Sequence, residues 1–257
     1  MMKVIILAGG LGSRLSEETV VRPKPLVEIG DKPIIWHIMS IYAHHGFKDF
    51  IVCVGYKGYL LKEYFANIVL HHNDITVDLQ SNKVEYHHGS SPDWKVTLVD
   101  TGNSSMTGGR LKRIKEYLDP HEPFMMTYGD GLGDINITEE LAFHRSHGLQ
   151  ATMCTVVPPA RFGTIHSDGY RITDFSEKPV DHSARINGGF FILQPSVLNL
   201  IDGDSTVWET GPLEQLARSG QLAGFMHDGF WQPMDTLREK VLLEELWHSG
   251  EAPWKIW

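Results

Sequence analysis

Short apolar runs alternate with longer amphipathic segments along the first half of the chain. The runs Lys3–Ala8 and Asp49–Gly55 have the length and continuous hydrophobicity of buried strands. The segment Pro33–Ala43 predicts a helix, because proline suits its first position and Gly46 follows as a stop signal. Strands that alternate with helices in this way favour an α/β protein with a mostly parallel sheet.

The remaining hydrophobic pattern predicts further strands and helices but no boundary between domains. Turn residues at 81–82 and 167–169 predict two hairpins. No Gly/Ser-rich or Pro-rich linker interrupts the chain, so we predict a single domain over residues 1–257. The further predicted strands are Ile75–Leu79, Val84–His87, Val96–Val99, Phe124–Tyr128, Ala151–Val157, Gly163–His166, Tyr170–Phe175, Gly189–Leu193 and Leu222–His227, and the further helices are Tyr59–Asn67, Gly109–Leu118, Thr138–His147, Thr210–Ser219 and Thr236–His248.

Composition and charge narrow the class of protein. A hydrophobic content of 42% supports a full core, and a net charge of −9 disfavours nucleic acid as a partner. No apolar run is long enough to span a membrane, and no signal-peptide cleavage site follows the first strand. Cys53 and Cys154 lie in apolar runs typical of buried thiols, so we expect a cytoplasmic protein. The histidine pairs lack metal-ligand spacing, which favours surface or structural roles.

A glycine-rich loop, Gly9-Gly10-Leu11-Gly12-Ser13-Arg14, follows the first predicted strand. Glycines let the backbone approach a ligand and leave N–H groups free to bind it, while Arg14 and Lys24 add positive charge. A tight turn with two solvated cations would share part of this pattern, but Ser-Arg and the later Pro-Lys-Pro together favour a site for a chain of phosphates. The spacing matches neither the Walker loop nor the dinucleotide-binding loop.

Two aspartates are candidates for a metal site. Asp130 ends a predicted strand between two glycines, at the sheet edge where ligands bind in open α/β sheets. Asp235 precedes a Thr-x-x-Glu capping box. Carboxylates together with phosphates are the ligands that Mg²⁺ prefers. From the residues alone, Asp130 could also be a turn residue, and Asp235 could merely assist the start of the helix.

The segment from Leu7 to Leu15, with Pro23-Lys24-Pro25 downstream, resembles the signature loop of the sugar-phosphate nucleotidyltransferases, with Ser13 in place of the usual threonine. The resemblance extends to Asp235. It implies a Rossmann-like, three-layer nucleotide-diphospho-sugar transferase fold with a mixed, mostly parallel central sheet. It also implies a nucleotide-binding half over residues 1–135 and a sugar-phosphate-binding half over 136–257, with Mg²⁺ held by Asp130 and Asp235.

The resemblance assigns roles to further residues. Glu177-Lys178-Pro179, which alone could be a solvated strand end, matches the box that contacts the sugar and its phosphate, and Arg161-Phe162-Gly163 matches an element of the same wall. The implied catalytic residues are Arg14, Lys24, Asp130, Lys178 and Asp235. The implied nucleotide-binding residues are Leu7, Ala8, Gly9, Gly10, Leu11, Gly12, Ser13, Arg14, Lys24, Ser105, Arg110 and Gly129, and the sugar-phosphate-binding residues are Gly163, Glu177, Lys178, Asn187, Gly188 and Trp231.

Segments at 108–113, 128–131, 229–236 and 253–257 narrow the resemblance to members that join CTP to glucose 1-phosphate for surface-polysaccharide synthesis. Arg110 is then expected to lie over the base, where two N–H groups suit the adjacent N3 and O2 acceptors of cytosine. The alternative is that Arg110 lies on the solvated face of a short helix. Family members are homo-oligomers, reported as hexamers, and we expect Trp254 and Trp257 at an interface.

Three other functions remain open at this stage. A uridylyl- or thymidylyltransferase would use the same core and differ only around the base. A catalytically silent regulatory relative would lack some of the charged residues, yet all are present. A metal-dependent glycosyltransferase would have Asp-x-Asp at the strand end, which the spacing from Asp130 to Asp134 does not match.

Overall fold

A seven-stranded mixed sheet forms the centre of the molecule in a computed structural model that describes residues 2–89, 91–159, 164–168, 170–176 and 185–257. The strands are β1 (Lys3–Leu7), β2 (Glu28–Ile29), β3 (Lys32–Pro33), β4 (Asp49–Val54), β5 (Asn73–Asp78), β6 (Lys83–Gly89), β7 (Lys95–Asp100), β8 (Phe124–Tyr128), β9 (Gly131–Gly133), β10 (Ala151–Val156), β11 (Thr164–Asp168), β12 (Arg171–Ser176), β13 (Ile186–Leu193), β14 (Leu222–His227) and β15 (Trp231–Pro233). The α-helices are α1 (Ser16–Thr19), α2 (Ile34–His44), α3 (Gly58–Ala66), α4 (Ile68–His72), α5 (Thr107–Arg113), α6 (Ile137–His147), α7 (Pro212–Arg218) and α8 (Leu237–His248).

The strand order in the sheet is β14-β10-β13-β8-β1-β4-β7. β1 pairs in parallel with β4 and β8, as do β4 with β7 and β10 with β14. β13 runs antiparallel to both of its neighbours, β8 and β10. The predicted mixed, mostly parallel sheet is therefore confirmed. Strands from both predicted halves share this one sheet, and the division into halves stays a prediction.

Both faces of the sheet are covered by apolar layers. Side chains alternate along β1, so that Val4 and Ile6 pack in one buried cluster and Ile5 and Leu7 in the other. Helix α2 contributes to the first cluster, while Leu111 of α5 and Trp208 contribute to the second. A strand buried on both faces reads as a continuous apolar run, which is why β1 and β4 could be recognised from sequence.

The structure corrects several predicted boundaries. The helix predicted over 109–118 begins earlier, at Thr107, and ends at Arg113, followed by a 3₁₀ turn at Lys115–Tyr117. Helix α7 begins at Pro212 rather than Thr210, since proline suits the first turn of a helix. The pairing of β9 with β15 was not predicted, because three-residue strands are too short to show a period. No helix of the described ranges is long and apolar enough to cross a membrane.

The aromatic residues near the C-terminus pack mainly inside the chain. Trp254 is fully buried, where its ring stacks on Phe230 and its Nε1 donates to His37 Nδ1 at 3.4 Å. The expectation of an interface at Trp254 is therefore wrong, because the core of this chain already covers it. Trp257 is partly exposed and contacts Trp36, and its expected place at an interface stays a prediction. Burial lowers the pKa of His37 to about 4, in keeping with the structural role predicted for histidines.

Candidate active site

Four of the predicted charged residues meet in one cluster, although they lie up to 221 positions apart in the chain. The Lys24 ammonium donates to Asp130 Oδ2 at 2.7 Å and to Asp235 Oδ1 at 2.6 Å. The Arg14 guanidinium donates to the other oxygen of Asp235 at 2.6 Å. Lys24 and Asp235 are mostly buried, whereas Arg14 is largely exposed. The fold thus brings together two carboxylates and two cations at the phosphate-binding loop.

A short ribbon of β9 and β15 holds the two aspartates side by side. Gly131 pairs with Pro233, and the backbone N–H of Met234 donates to the Asp130 carbonyl at 2.8 Å. The helix start after Asp235 is satisfied by other groups, because Thr236 and Glu239 form a complete capping box. The carboxylate of Asp235 instead accepts hydrogen bonds from Lys24 and Arg14. This argues against the alternative that Asp235 serves only to start the helix.

The glycine-rich loop lines a cavity of about 220 Å³ beside this cluster. Gly12 adopts a φ of +66°, a conformation that suits glycine, and the Leu15 N–H donates to its carbonyl at 3.0 Å. Leu11 points away, with 62% of its surface exposed. The predicted residues that line the cavity are Leu7, Ala8, Gly10, Gly12, Ser13, Arg14, Lys24, Gly129 and Asp130.

A larger cavity of about 900 Å³ adjoins the first and shares Leu7, Gly10, Arg14 and Asp130 with it. Its walls include residues predicted for both substrates, namely Gly9, Ser105, Arg110, Asn187 and Trp231, together with the predicted metal-binding residue Asp235. The Trp231 Nε1 donates to the Gly188 carbonyl at 2.7 Å, so two of the predicted sugar-phosphate-binding residues, one on β15 and one on β13, are in direct contact. This volume is in the range of cavities that enclose drug-sized ligands.

Arg110 is buried, so the alternative of a solvated helix face is wrong. Its Nη1 donates to Thr101 Oγ1 and to the Gly102 carbonyl, both at 2.8 Å, and its Nη2 donates to the Gly9 carbonyl at 2.9 Å. A guanidinium has five N–H groups, so Nε–H and one Nη2–H have no acceptor among the described residues. A Cβ at position 9 would lie 2.1 Å from Arg110 Nη1, so only glycine leaves room for this contact.

Three polar residues of the large cavity were not predicted: Thr107, Tyr128 and Glu209. The Tyr128 hydroxyl donates to Glu209 Oε1 at 2.5 Å, and the Thr107 hydroxyl donates to Glu209 Oε2 at 2.7 Å. Burial, followed by the neighbouring Glu209 carboxylate, raises the pKa of Tyr128. Tyr128 could have been found from its place just before Gly129-Asp130, but Glu209 belongs to no motif, and only the fold brings it to the cavity.

Three predicted sugar-phosphate residues, Gly163, Glu177 and Lys178, lie outside the described residues, as do Arg161 and Phe162. Their roles stay predictions.

The chain is similar to known nucleotidyltransferases in sequence and in fold. Residues 3–232 match the family model described as nucleotidyl transferase. The chain is 58% identical over 256 residues to glucose-1-phosphate cytidylyltransferases of Salmonella typhi and of Salmonella typhimurium, covering all of both sequences in each case. A crystal structure of HddC from Yersinia pseudotuberculosis superimposes with a TM-score of 0.67 at 20% identity, over 96% of this chain and 100% of that one. The full-length match and the shared fold agree with the assembled loop and aspartates: this chain belongs to the nucleotidyl transferase family.

Proposed function

We propose that the protein joins CTP to α-D-glucose 1-phosphate and forms CDP-glucose and pyrophosphate. The observation that carries the proposal is the meeting of Arg14, Lys24, Asp130 and Asp235 at the glycine-rich loop, on a cavity lined by both predicted substrate sets. The choice of cytosine and glucose is supported by the Salmonella relatives, whose names specify both and whose length this chain matches. The intact cluster disfavours a catalytically silent relative.

The two aspartates suit Mg²⁺ as the cofactor. Their carboxylates are hard oxygen donors, and they converge closely enough for one ammonium group to contact both. No cluster of three or more His, Cys, Asp or Glu side chains suited to a metal occurs in the described ranges. This fits an ion that keeps several waters and takes its other ligands from substrate phosphates. When bound, Mg²⁺ supplies charge neutralisation at the α-phosphate.

The reaction requires positioning and charge more than proton transfer. A phosphate oxygen of glucose 1-phosphate forms a bond to the α-phosphorus of CTP, while the bond from that phosphorus to the bridging oxygen breaks and pyrophosphate leaves with the electron pair. The nucleophile is already an anion, so no general base is required. The barrier comes from repulsion between two anions, which the cations of the site reduce.

Each charged side chain has a part in that scheme. Arg14, at the mouth of the cluster, and the loop N–H groups hold the outgoing pyrophosphate. Lys24 supplies positive charge where the α-phosphate and the attacking phosphate meet. Lys178 orients the sugar phosphate, a role that rests on sequence alone. A hexameric assembly, expected from the family resemblance, is part of the same proposal. So is a cytoplasmic location, since the buried thiols of Cys53 and Cys154 suit a reducing compartment.

The test of the function is pyrophosphate release from glucose 1-phosphate with CTP, UTP, dTTP, ATP or GTP, one at a time, in the presence of Mg²⁺. We expect CTP to give the highest kcat/KM. A preference for UTP or dTTP would make the protein a uridylyl- or thymidylyltransferase on the same sugar phosphate. No release with any nucleotide would overturn the proposal altogether.

Arg110 is predicted to set the preference for cytosine. Two of its N–H groups have no acceptor among the described residues, and they suit N3 and O2 of cytosine. Uracil carries a hydrogen at N3 that would leave one of these donors unpaired. A buried unpaired donor costs roughly 1–3 kcal/mol, which is about fivefold to more than a hundredfold in selectivity. We therefore expect Arg110→Gln, which offers an acceptor as well as a donor, to reduce the CTP/UTP ratio of kcat/KM by such a factor.

The control accounts for the structural bonds of the same side chain. Arg110 also secures Gly9 and Gly102, so the unfolding temperature of the variant must be measured, and the selectivity ratio is taken within one protein preparation. Loss of folded protein lowers both rates alike and cancels in this ratio. An unchanged CTP/UTP ratio would mean that backbone groups, and not Arg110, choose the base.

A further inference from the structure

The carboxylate of Glu209 lies on the wall of the large cavity and takes no part in the proposed chemistry of the phosphates. Both of its oxygens accept a hydrogen bond from a hydroxyl, Tyr128 on one side and Thr107 on the other. These contacts fix the plane of the carboxylate, because one oxygen is held from β8 and the other from α5. Glu209 is thus a pre-positioned group and not a mobile surface side chain.

Glu209 retains capacity to accept further hydrogen bonds. An ionised carboxylate offers about four lone-pair sites, and the two hydroxyls occupy two of them. Among the residues that the structure describes, no Lys or Arg forms an ion pair with it. A half-buried carboxylate with this surplus is stabilised by an N–H or O–H donor that enters the cavity.

The chemistry of the cavity indicates which donor that is. A phosphate is repelled by a carboxylate and is drawn to the loop, Arg14 and Lys24. The wall of the same cavity also has apolar residues, Pro158, Ile186 and Trp231, and an apolar surface suits the C–H face of a sugar ring. The Asn187 amide, 3.4 Å from the Tyr128 hydroxyl, connects Glu209 to the residues predicted for the sugar.

We propose that Glu209 determines sugar specificity by accepting a hydrogen bond from a hydroxyl of a sugar ring bound in this cavity. The inference rests on the proposed function for the identity of the substrates. Two rings carry suitable hydroxyls, the hexose of the sugar phosphate and the ribose of the nucleotide. Glu209 contacts both Tyr128, beside the hexose set, and Thr107, beside the base set, so the experiment must separate the two sources.

The experiment compares wild type with Glu209→Gln on substrates that each lack one hydroxyl. The hexose arm uses the 2-, 3-, 4- and 6-deoxy derivatives of glucose 1-phosphate with CTP, and the ribose arm uses dCTP with glucose 1-phosphate. Removing the partner hydroxyl leaves a charged acceptor unpaired in wild type, so kcat/KM for one substrate should fall by about tenfold or more. In Glu209→Gln the same deletion should cost about threefold or less, because the charge is gone.

The matched control is Glu214→Gln, an exposed glutamate on α7 that pairs with Arg218 and should discriminate as wild type does. Each comparison is a ratio of substrates within one protein, so poor folding of a variant cancels. If Glu209→Gln discriminates against every deoxy substrate as strongly as wild type, the inference is wrong. If wild type does not join CTP to glucose 1-phosphate at all, the proposed function fails first and separately.

Discussion

Asp130→Asn and Asp235→Asn should each reduce kcat by about 10²–10³-fold while the protein stays folded. Each substitution keeps the size of the side chain and removes one of the two negative charges that gather at Lys24. The variant would hold the proposed Mg²⁺ less well. The charge neutralisation that this ion would supply is most important in the transition state, when charge builds up at the α-phosphate, so kcat falls rather than KM alone. Pyrophosphate release at saturating substrates and Mg²⁺ measures the effect.

A control variant and a stability measurement accompany this prediction. Asp93→Asn is the matched control, since Asp93 is exposed, pairs with Lys48 and should keep full activity. Thermal unfolding should show no loss of stability in either active-site variant, because Lys24 retains one carboxylate partner in each. Near-normal kcat in one of the two variants at ordinary Mg²⁺ would exclude a site that needs both aspartates.

Glu140→Gln should stabilise the protein, increasingly so as the pH rises from about 4.5 to about 8. Glu140 lies on α6, is 1% exposed, and its Oε1 has no partner among the described residues. Burial raises the pKa of this carboxyl to about 8, against 4.5 for an ordinary glutamate. The fold therefore holds the side chain in its neutral form, which glutamine imitates at every pH.

The direction of this pH dependence follows from the number of protons bound by the folded and the unfolded chain. Between the two pKa values the unfolded chain has released the proton while the folded chain retains it, so the free energy of unfolding falls as the pH rises. The full difference, reached above pH 8, amounts to ~5 kcal/mol. Urea unfolding at pH 5 and pH 8 measures it, with exposed Glu139→Gln as the control. A stability gain for Glu140→Gln that is equal at the two pH values would show that Glu140 does not titrate in this way.

The sequence was informative wherever local chemistry repeats or is unusual. β8 was predicted with its observed bounds, Phe124–Tyr128, because a buried strand that ends in Gly-Asp-Gly has a sharp limit. The capping box at Thr236 and Glu239 was read correctly for the same reason. The cluster of Arg14, Lys24, Asp130 and Asp235 was predicted from the family signature, and the fold brings these residues within hydrogen-bonding distance.

The remainder depends on long-range packing that has no local signature. Glu209 lies in a turn whose sequence gives no hint that Tyr128 and Thr107 contact it from two other elements. The position of Arg110 within a basic run suggested a solvated helix face as one alternative, yet its guanidinium is buried against the carbonyls of Gly9 and Gly102. The place of Trp254 in the core could not be predicted, because its partners there, Phe230 and His37, are distant in sequence.

The ribbon of β9 and β15 restricts how the length of this chain can vary. One residue inserted between Trp231 and Asp235 would shift the later aspartate by about 3.4 Å and turn it to the opposite face, far beyond the tolerance of a hydrogen bond. The exposed turn between β5 and β6, around Ser81 and Asn82, carries no such restriction. Insertions and deletions among related sequences should therefore occur in that hairpin. A constant number of residues between the ribbon and the second aspartate should indicate an active enzyme better than the presence of the two aspartates alone.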